Sequence, residues 1–466
     1  MILAACDRGS TMKSLLVFDQ VRPASLRAAL DPAVGADVHE LCLDYIPRTT
    51  PVGHATISTG QIPSVHRIQG RSWYAASGLT QHLHHVEDVL SSAPGPVFDV
   101  IERANLARRL RNAGSRGIVI AAAKSFIPFL FGAWHSDVCV YPDTVRPIVY
   151  ATGTTARTVA MDLCFITWSD SGHAALVAAW HDITVRLTRL AALVPQTAMS
   201  APAPPQTAPS LPHRHLARWI FHWPAVDQLI ARLWAPILGP IADEIDAFYT
   251  DVSLEILRRM AEPVVLLQSC FSTDYQGHMH GPSSTQYSNA LRRSVSRAQQ
   301  LHGYGPVVVT SDHGGRDTPL CWRYDANART LDVGAALSFT LPTARIVADA
   351  DHLVGYDHLS LGPQPVELLR VTPNALVPMI VPPRILQRSH HRAQVPRWLV
   401  LPSHDARITD RAIRPGGGDH GACEDHGVLS DDDNRVPLWL LHAAPATVSN
   451  YPRNLEDLAA WFVQLS

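Results

Sequence analysis

The sequence predicts an α/β fold in which a mainly parallel sheet is sandwiched between helices, with an inserted cap subdomain. Short apolar runs of strand length recur along the chain, and segments with apolar residues at helical spacing separate them. A Pro-rich stretch without a clear period interrupts this order. Strands that alternate with helices are typical of a parallel sheet covered by helices on both faces.

Four apolar runs are predicted strands, because each is short and is followed by polar or turn residues. They cover residues 14–18, 117–122, 264–268 and 307–310. Helices are predicted over 98–112, where Gly114 ends the periodic pattern, and over 284–301. Residues 213–260 are also predicted to be helical, most clearly over 243–260.

Shifts in composition divide the chain into five parts. Residues 194–212 are rich in Pro, Ala, Ser and Thr, which is typical of a flexible linker or exposed loop. Residues 318–412 are Pro-rich and predict an inserted subdomain. The five parts are a first core segment (14–193), a linker with a helical insertion (194–261), a second core segment (262–318), the inserted cap (319–418) and a C-terminal core segment (419–466).

Composition and charge exclude several classes of protein. The 466-residue chain has 46% apolar and 17% charged residues, which indicates a globular protein. Its 39 basic and 41 acidic residues lack the basic excess of proteins that bind nucleic-acid duplexes or acidic membranes. No apolar run reaches the about 18 residues of a membrane span, and no signal peptide is visible. Seven scattered cysteines do not suggest a disulfide framework, so a cytoplasmic location is expected.

Residues that can bind metals stand at the ends of the predicted strands. Functional groups collect there in α/β sheets, and Asp with His in this proportion suits zinc. Each residue alone is better explained as a cap or turn residue, but their joint occurrence is much harder to obtain by chance. They are Asp19 after the first strand, Asp274 and His278 after the third, Asp312 and His313 after the fourth, and His426 before the apolar run 436–441.

Several segments, in this order, resemble motifs of the alkaline phosphatase superfamily, in particular the nucleotide pyrophosphatases/phosphodiesterases and the phosphate-irrepressible alkaline phosphatases. The segment from Thr50 to Gly60, followed by Pro63 and His66, is similar to the nucleophile segment of these enzymes. Residues 17–22, 272–282, 310–314 and 426–437 are similar to their metal-binding motifs. The resemblance covers roughly residues 14–135, 262–318 and 419–445 and leaves both insertions unmatched.

The resemblance implies a threonine nucleophile and two divalent metal ions, with zinc as the expected metal. Two such ions can lower the pKa of a threonine hydroxyl and neutralise the charge on an attacking or leaving oxygen. The phosphoryl group would pass to Thr50 and then to water. The implied ligands are Asp274, His278 and His426 for one metal, and Asp19, Asp312, His313 and the Thr50 oxygen for the other.

Two of these assignments have a neighbouring competitor. Thr49 also carries a hydroxyl, but the family spacing places the nucleophile four residues before a histidine, here His54, and this favours Thr50. Both threonines could instead simply cap a helix whose first residue is Pro51, and the two interpretations are compatible. His420 competes with His426, which is favoured by its distance from residues 436–437.

Two cations are candidate phosphate-binding residues. Arg71 stands where the family usually has Asn, and its guanidinium can donate two hydrogen bonds to phosphate oxygens, although a solvated loop arginine explains it equally well. Lys124 falls where the monoesterase relatives place a phosphate-binding Lys. The Arg that those relatives carry close to it is missing, because residues 125–128 are Ser, Phe, Ile and Pro.

The sequence therefore predicts a metal-dependent hydrolase of a small-molecule phosphate ester or nucleotide, acting through a covalent phosphothreonine. Monoesters and diesters both remain open as substrates. A sulfatase is disfavoured because the Thr50 segment lacks the Cys or Ser of that branch. A non-catalytic protein that binds metal or phosphate on the same fold is the alternative from another class. The natural substrate and the oligomeric state stay open.

Overall fold

The computed structural model describes most of the core segments and part of the insertions. It covers residues 12–32, 37–45, 48–68, 70, 72–74, 80–82, 96–122, 124, 126–144, 148–149, 157–158, 161–192, 218–222, 228–315, 320–325, 330–332, 338–340, 345–349, 352–356, 367–371, 376–379, 387–388, 398–401, 406–409, 434–441 and 450–465.

A nine-stranded sheet forms the centre of the molecule. Its strands lie side by side in the order β6-β5-β4-β3-β7-β1-β8-β9-β2. In chain order they are β1 (Lys13–Phe18), β2 (His39–Cys42), β3 (Gly117–Ala122), β4 (Val138–Thr144), β5 (Met161–Thr167), β6 (Arg218–His222), β7 (Val264–Cys270), β8 (Val307–Thr310) and β9 (Arg435–Leu441).

The centre of this sheet is parallel, as predicted. β4, β3, β7, β1 and β8 pair in parallel, with Leu15 of β1 opposite Leu267 on one side and Val308 on the other. β5 and β9 run in the opposite direction and flank the parallel strands. The four strands predicted from apolar runs are therefore neighbours at the centre, and their carboxyl ends lie along one edge.

Helices cover both faces of the sheet. Side chains alternate along each central strand, so they enter two separate hydrophobic cores, one on each face. Leu15 and Val17 of β1 belong to one core, and Leu16 and Phe18 belong to the other. The helices are α1 (Pro23–Ala29), α2 (Thr50–Thr59), α3 (Pro63–His66), α4 (Pro96–Ala104), α5 (Leu106–Asn112), α6 (Ile127–Phe131), α7 (Asp170–Ala192), α8 (Gln228–Leu257), α9 (Ser272–His280), α10 (Thr285–His302) and α11 (Leu458–Gln464), with 3-10 turns at Ala133–His135 and Leu455–Asp457.

Two helix predictions need correction. The segment predicted as one helix over 98–112 is two helices, α4 and α5, which meet at Asn105. The Asn105 side chain accepts a hydrogen bond from Arg108 N and donates one to Ile101 O, so it caps one helix and closes the other. Residues 213–260 are not all helical, because β6 lies within them and pairs with β5. Its Trp, Ile and Phe residues favour the extended backbone.

Residues between 320 and 409 form two further sheets that are separate from the central one. The first contains Leu320–Asp325, Thr330–Asp332, Ser338–Thr340 and Ala406–Thr409. The second contains Arg345–Asp349, His352–Tyr356, Glu367–Val371, Leu376–Met379 and Trp398–Leu401. Ser72–Tyr74 pairs with Thr80–His82, and Ile148–Val149 pairs with Arg157–Thr158. The boundaries of the five predicted parts stay a prediction.

Within the described part of the chain, none of the helices combines the length and the hydropathy needed to cross a membrane.

Candidate active site

Polar residues from four adjacent strands meet at the carboxyl edge of the sheet. Asp19 directly follows β1, Lys124 follows β3 and Asp312 follows β8, while β7 leads into the helix that carries Asp274. Because β3, β7, β1 and β8 are neighbours and run parallel, residues that are far apart in the chain arrive at one place.

Helix α2 brings Thr50 to this place. The helix begins at Thr50, with Thr49 at the N-cap position and Pro51 in the first turn. The Thr49 hydroxyl is buried and makes no hydrogen bond within the described residues, so it does not cap the helix. Thr50 Oγ1 lies 3.1 Å from Lys124 Nζ, 3.3 Å from His313 Nε2 and 3.5 Å from Asp19 Oδ1. Of the two threonines, Thr50 is the one whose hydroxyl contacts the polar cluster.

Helix α2 reaches the cluster because it packs directly on the backbone that carries Asp312. A Cβ added to Gly53 would lie 2.2 Å from the carbonyl oxygen of Asp312, so a larger residue cannot occupy this position at the present distance. The next residue, His54, holds the same two elements together. Its Nδ1 lies 2.9 Å from the Thr50 carbonyl and 3.1 Å from Asp312 Oδ2, and its Nε2 lies 2.9 Å from Ser269 Oγ.

Helix α9 supplies a second pair of metal-binding side chains. Asp274 and His278 are one turn apart, and Asp274 Oδ1 lies 3.1 Å from His278 Nε2. The start of this helix is held by Asp246 of α8, whose fully buried carboxylate accepts hydrogen bonds from Phe271 N at 3.2 Å and Ser272 N at 3.0 Å. A carboxylate from another helix therefore fills the place of an N-cap.

Lys124 lies between the carboxylates of Asp19 and Asp274. Its Nζ lies 2.5 Å from Asp19 Oδ2 and 2.9 Å from Asp274 Oδ2, in addition to the contact with Thr50. The amine donates to both carboxylates, so one cation lies between the Asp19 group and the Asp274 group.

Asp312 and His313 form a fully buried acid–base pair beside Asp19. Burial would raise the pKa of the Asp312 carboxyl, but the imidazoles of His313 and His54 outweigh it and hold that pKa well below its usual range. Burial would lower the pKa of His313, but Asp312 and Asp19 raise it above its ordinary value. The second Asp312 oxygen, Oδ1, accepts from Gln20 N at 3.3 Å, which the left-handed backbone of Gln20 (φ 68°) makes possible.

These residues fit the metal ions that the resemblance implies. Asp19, Asp312 and His313 each offer a ligand atom, and the three atoms lie within 4.8 Å of one another. Among the described residues, Asp312 Oδ2 is a buried carboxylate oxygen that receives no hydrogen bond, although His54 Nδ1 lies 3.1 Å and His313 Nε2 lies 3.6 Å from it. Two carboxylates and one imidazole suit a divalent ion such as zinc. Asp274 and His278 offer the start of a second ligand set.

Seven of the nine predicted site residues lie together, and the other two lie outside the described residues. Those two are Arg71 and His426, and the competitor His420 is also outside. The seven are Asp19, Thr50, Lys124, Asp274, His278, Asp312 and His313.

Several residues that support the site were not predicted from the sequence. Asp246 belongs to none of the recognised motifs, and its role depends on a contact with residues 25 positions away. Ser311 donates to the His313 carbonyl and accepts from Val21 N, and Thr273 donates to the Asp19 carbonyl at 2.6 Å. Ser311 and Thr273 stand next to the predicted ligands Asp312 and Asp274 in the sequence. Their hydroxyl groups at these positions were the available sign that they support the site.

Comparison with known structures identifies the class of fold. The structure of the alkaline phosphatase PafA aligns over 97% of this chain and 95% of that chain, with a TM-score of 0.52 and 13% identity. Phosphonoacetate hydrolase from Sinorhizobium meliloti 1021, solved in complex with phosphonoacetate, aligns over 98% of this chain and 95% of that chain, with a TM-score of 0.51 and 13% identity. The chain therefore shares the fold of these two proteins.

Sequence comparison then gives the family. The chain belongs to the type I phosphodiesterase/nucleotide pyrophosphatase family, whose sequence model matches residues 15–421. This is a family of phosphoric ester hydrolases. The matched range includes His420 and ends before His426. A stretch of 40 residues is also 42% identical to alkaline phosphatase PafA of Elizabethkingia meningoseptica, and it spans 9% of this chain and 7% of that relative's length.

Proposed function

We propose that this chain hydrolyses phosphate esters through a covalent phosphothreonine at Thr50. The observation that carries the proposal is the position of the Thr50 hydroxyl, within 3.5 Å of an acid, an imidazole and an amine. The neighbouring Thr49 hydroxyl contacts none of these groups. A buried hydroxyl with both a proton acceptor and a cation beside it has the surroundings of an activated nucleophile.

The same surroundings would bind the phosphoryl group. Thr50 stands in the first turn of α2, where the unpaired backbone N–H groups and the helix dipole favour an anion. The Lys124 amine, 3.1 Å from Thr50 Oγ1, can hold a phosphoryl oxygen beside the nucleophile. A cation fixed before the reaction stabilises the negative charge that develops on the phosphoryl oxygens.

The chemistry proceeds in two displacements. Thr50 Oγ1 attacks phosphorus, its proton leaves toward Asp19 Oδ1, and the bond from phosphorus to the leaving-group oxygen breaks. Water then attacks the phosphorus of the phosphothreonine, and the bond from phosphorus to Thr50 Oγ1 breaks. Phosphate leaves with the water oxygen, and a proton from that water returns to Oγ1 and restores the hydroxyl. Thr50 is held for both steps by α2 and by His54, which contacts the Thr50 carbonyl.

Two divalent ions, with zinc as the proposed metal, would belong to this site. Asp19, Asp312, His313 and the Thr50 oxygen would hold one, and Asp274 and His278 would hold the other together with His426, with His420 as the competing residue. When bound, such ions lower the pKa of the hydroxyl and neutralise charge on the attacking and leaving oxygens.

The positive charge near Thr50 favours phosphate monoesters. A monoester carries about two negative charges at neutral pH and a diester carries one, so an additional cation stabilises the monoester more. Lys124 supplies such a cation, and Arg71 is the second candidate. We expect Lys124→Met and Arg71→Asn to lower kcat/KM for an aryl phosphate more than for its methyl diester. An unchanged ratio in both variants would overturn the proposed role of these two cations in selecting monoesters.

Substitution of each threonine tests the nucleophile. Thr50→Ala should lower kcat for an aryl phosphate by about three orders of magnitude or more, because the attacking oxygen is gone. Thr50→Ser should retain measurable activity, and Thr49→Ala, the matched control, should retain most of it. The metal content of all three variants should stay near that of the wild type, because Thr50 supplies one ligand oxygen.

Acid-quenched reactions with a ³²P-labelled monoester give a second readout. The label should be recovered on the wild-type chain and on phosphothreonine, and it should be absent from Thr50→Ala. Loss of turnover in Thr49→Ala with normal turnover in Thr50→Ala would overturn the assignment. A wild-type chain that binds metal and phosphate but shows no turnover would instead support the non-catalytic alternative.

A further inference from the structure

A second cavity lies beside the candidate active site, between α1 and α10. Its volume is about 290 Å³, near the lower limit for small-molecule sites. Arg22 and Arg292 line it, together with the hydroxyl-bearing residues Ser25, Ser283 and Ser288. The residues of the catalytic cluster are not among its described lining residues.

The described lining of this cavity carries positive charge from Arg22, which is half-buried, and Arg292, which is exposed. None of its described lining residues is Asp or Glu. Within the described part of the chain, neither Arg22 nor Arg292 forms an ion pair, and the guanidinium of Arg292 donates to Asn289 Oδ1 at 3.3 Å. Other arginines close by do form ion pairs, such as Arg27 with Glu40 and Arg293 with Asp243. Two arginines around one small cavity that have no acidic partner among the described residues are suited to an oxyanion.

The wall of this cavity is connected to the candidate active site. Arg22 stands three residues after Asp19 on the same short segment, and Tyr287 in the cavity wall donates a hydrogen bond to Gln20 O at 2.8 Å. Gln20 N in turn donates to Asp312 Oδ1. A ligand bound to Arg22 would therefore contact the segment that carries Asp19.

We propose that this cavity is a second anion site, which binds a tetrahedral phosphate group through Arg22 and Arg292. The guanidinium groups donate to the phosphate oxygens, and the hydroxyl of the lining residue Ser25 can donate to a further oxygen. The Ser288 hydroxyl donates to Ser284 O at 3.0 Å. The small volume admits inorganic phosphate or the phosphoryl end of a small ester. The proposal does not depend on turnover at Thr50.

Binding of inorganic phosphate to the full-length, metal-loaded protein tests the proposal. Isothermal titration of the wild type should show two classes of phosphate site. Arg22→Gln and Arg292→Gln should each weaken one class by about tenfold, the loss expected when a charge-assisted hydrogen bond is removed. Arg22→Lys, which keeps the charge, should lose less. Phosphate binding at the other class of site, the candidate active site, should be unchanged. The inhibition constant of phosphate in the hydrolysis of an aryl phosphate measures it.

Arg116→Gln is the matched control, because Arg116 is exposed and does not line the cavity. It should leave both classes of site unchanged. The proposal is overturned if the wild type shows a single class, if both cavity variants bind phosphate normally, or if Arg116→Gln weakens binding as much as they do. A parallel titration of metal-loaded Thr50→Ala, which should not hydrolyse the ester, with phenyl phosphate distinguishes a free-phosphate site, which rejects the ester, from one that accepts a phosphoryl end. Circular dichroism confirms that each variant is folded.

Discussion

Two helices bring side chains to the candidate active site, and they are held in different ways. Helix α2, which carries Thr50, is buried over all ten of its residues and touches the Asp312 backbone at Gly53. Helix α9, which carries Asp274 and His278, is buried near its start and exposed at His280. Its start is held by two hydrogen bonds to the carboxylate of Asp246.

The two helices should therefore tolerate different changes. A helix fixed by close packing has no room for an added atom, because protein interiors are as dense as organic crystals. A helix fixed by a carboxylate tolerates changes in size more readily than loss of the acceptor, because its buried N–H groups would be left unpaired. The predictions that follow test this contrast, in order of decreasing effect on activity.

Among the variants that test how the two helices are held, the largest effect is expected from Gly53→Ala. Alanine normally stabilises a helix by about 1 kcal/mol relative to glycine. Here the new Cβ would lie 2.2 Å from the Asp312 carbonyl, so α2 must move away and carry Thr50 with it. We expect activity to fall by about 100-fold, as for a misplacement of about 1 Å, and the free energy of unfolding to fall by about 1–3 kcal/mol.

Gly172→Ala is the matched control for Gly53→Ala. Gly172 lies in α7, and its added Cβ would lie 2.3 Å from the carbonyl of Asp137, at the opposite end of the parallel strands. Urea unfolding should show a similar loss of stability, while kcat of the folded fraction stays near the wild-type value. If the two variants lose activity equally, close packing of α2 has no special part in placing Thr50.

A smaller effect is expected from Asp246→Asn. The amide offers one acceptor oxygen where the carboxylate offers two, so one of the N–H groups at the start of α9 loses its partner. We expect the free energy of unfolding to fall by about 1 kcal/mol and metal affinity to weaken by about tenfold or more, because Asp274 and His278 are less well positioned.

Metal affinity can be measured by competition with a chromophoric chelator, which needs no turnover. Glu244→Gln, on an exposed position of the same helix, should leave it unchanged. Normal metal binding by Asp246→Asn would show that α9 is positioned by packing, as α2 is, and the contrast between the helices would fail.

The smallest effect on activity is expected from His66→Gln. The pH dependence of its stability tests whether a neutral His66 supports α2. His66 Nδ1 accepts from Ile68 N, so its proton is on Nε2, 3.1 Å from Thr56 Oγ1 of α2. Burial lowers the pKa of His66 to about 3 from an ordinary value of 6.5. Between these values the unfolded chain binds a proton that the folded chain does not, so the free energy of unfolding decreases as pH falls from 6.5 to 3.

His66→Gln should be less stable than the wild type at pH 7. Because glutamine does not titrate, the variant should lose less stability than the wild type as the pH is lowered. The difference in slope can reach at most about 1.4 kcal/mol per pH unit. Urea unfolding of both proteins between pH 7 and pH 4 measures it. Parallel slopes would show that His66 titrates normally and is not a neutral support of α2.

Local patterns in the sequence were sufficient for the central strands and for the choice of candidate residues. The runs 14–18, 117–122, 264–268 and 307–310 are all strands, because a parallel strand buried on both faces must be apolar along its length. The residues that follow them were chosen because strand ends are where an α/β sheet can expose polar groups. The helix break at Asn105 and the strand Arg218–His222 were missed, since tertiary contacts select one of two locally acceptable conformations there.

By itself, the sequence determined the α/β class, the family motifs and the set of polar residues at strand ends, because each depends on residues close together in the chain. Only the tertiary structure decided that β3, β7, β1 and β8 are neighbours, that Thr50 contacts Lys124 while Thr49 does not, and that Asp246 holds the start of α9. These features join residues separated by 25 to about 290 positions, and such contacts form only when the chain packs around a common core.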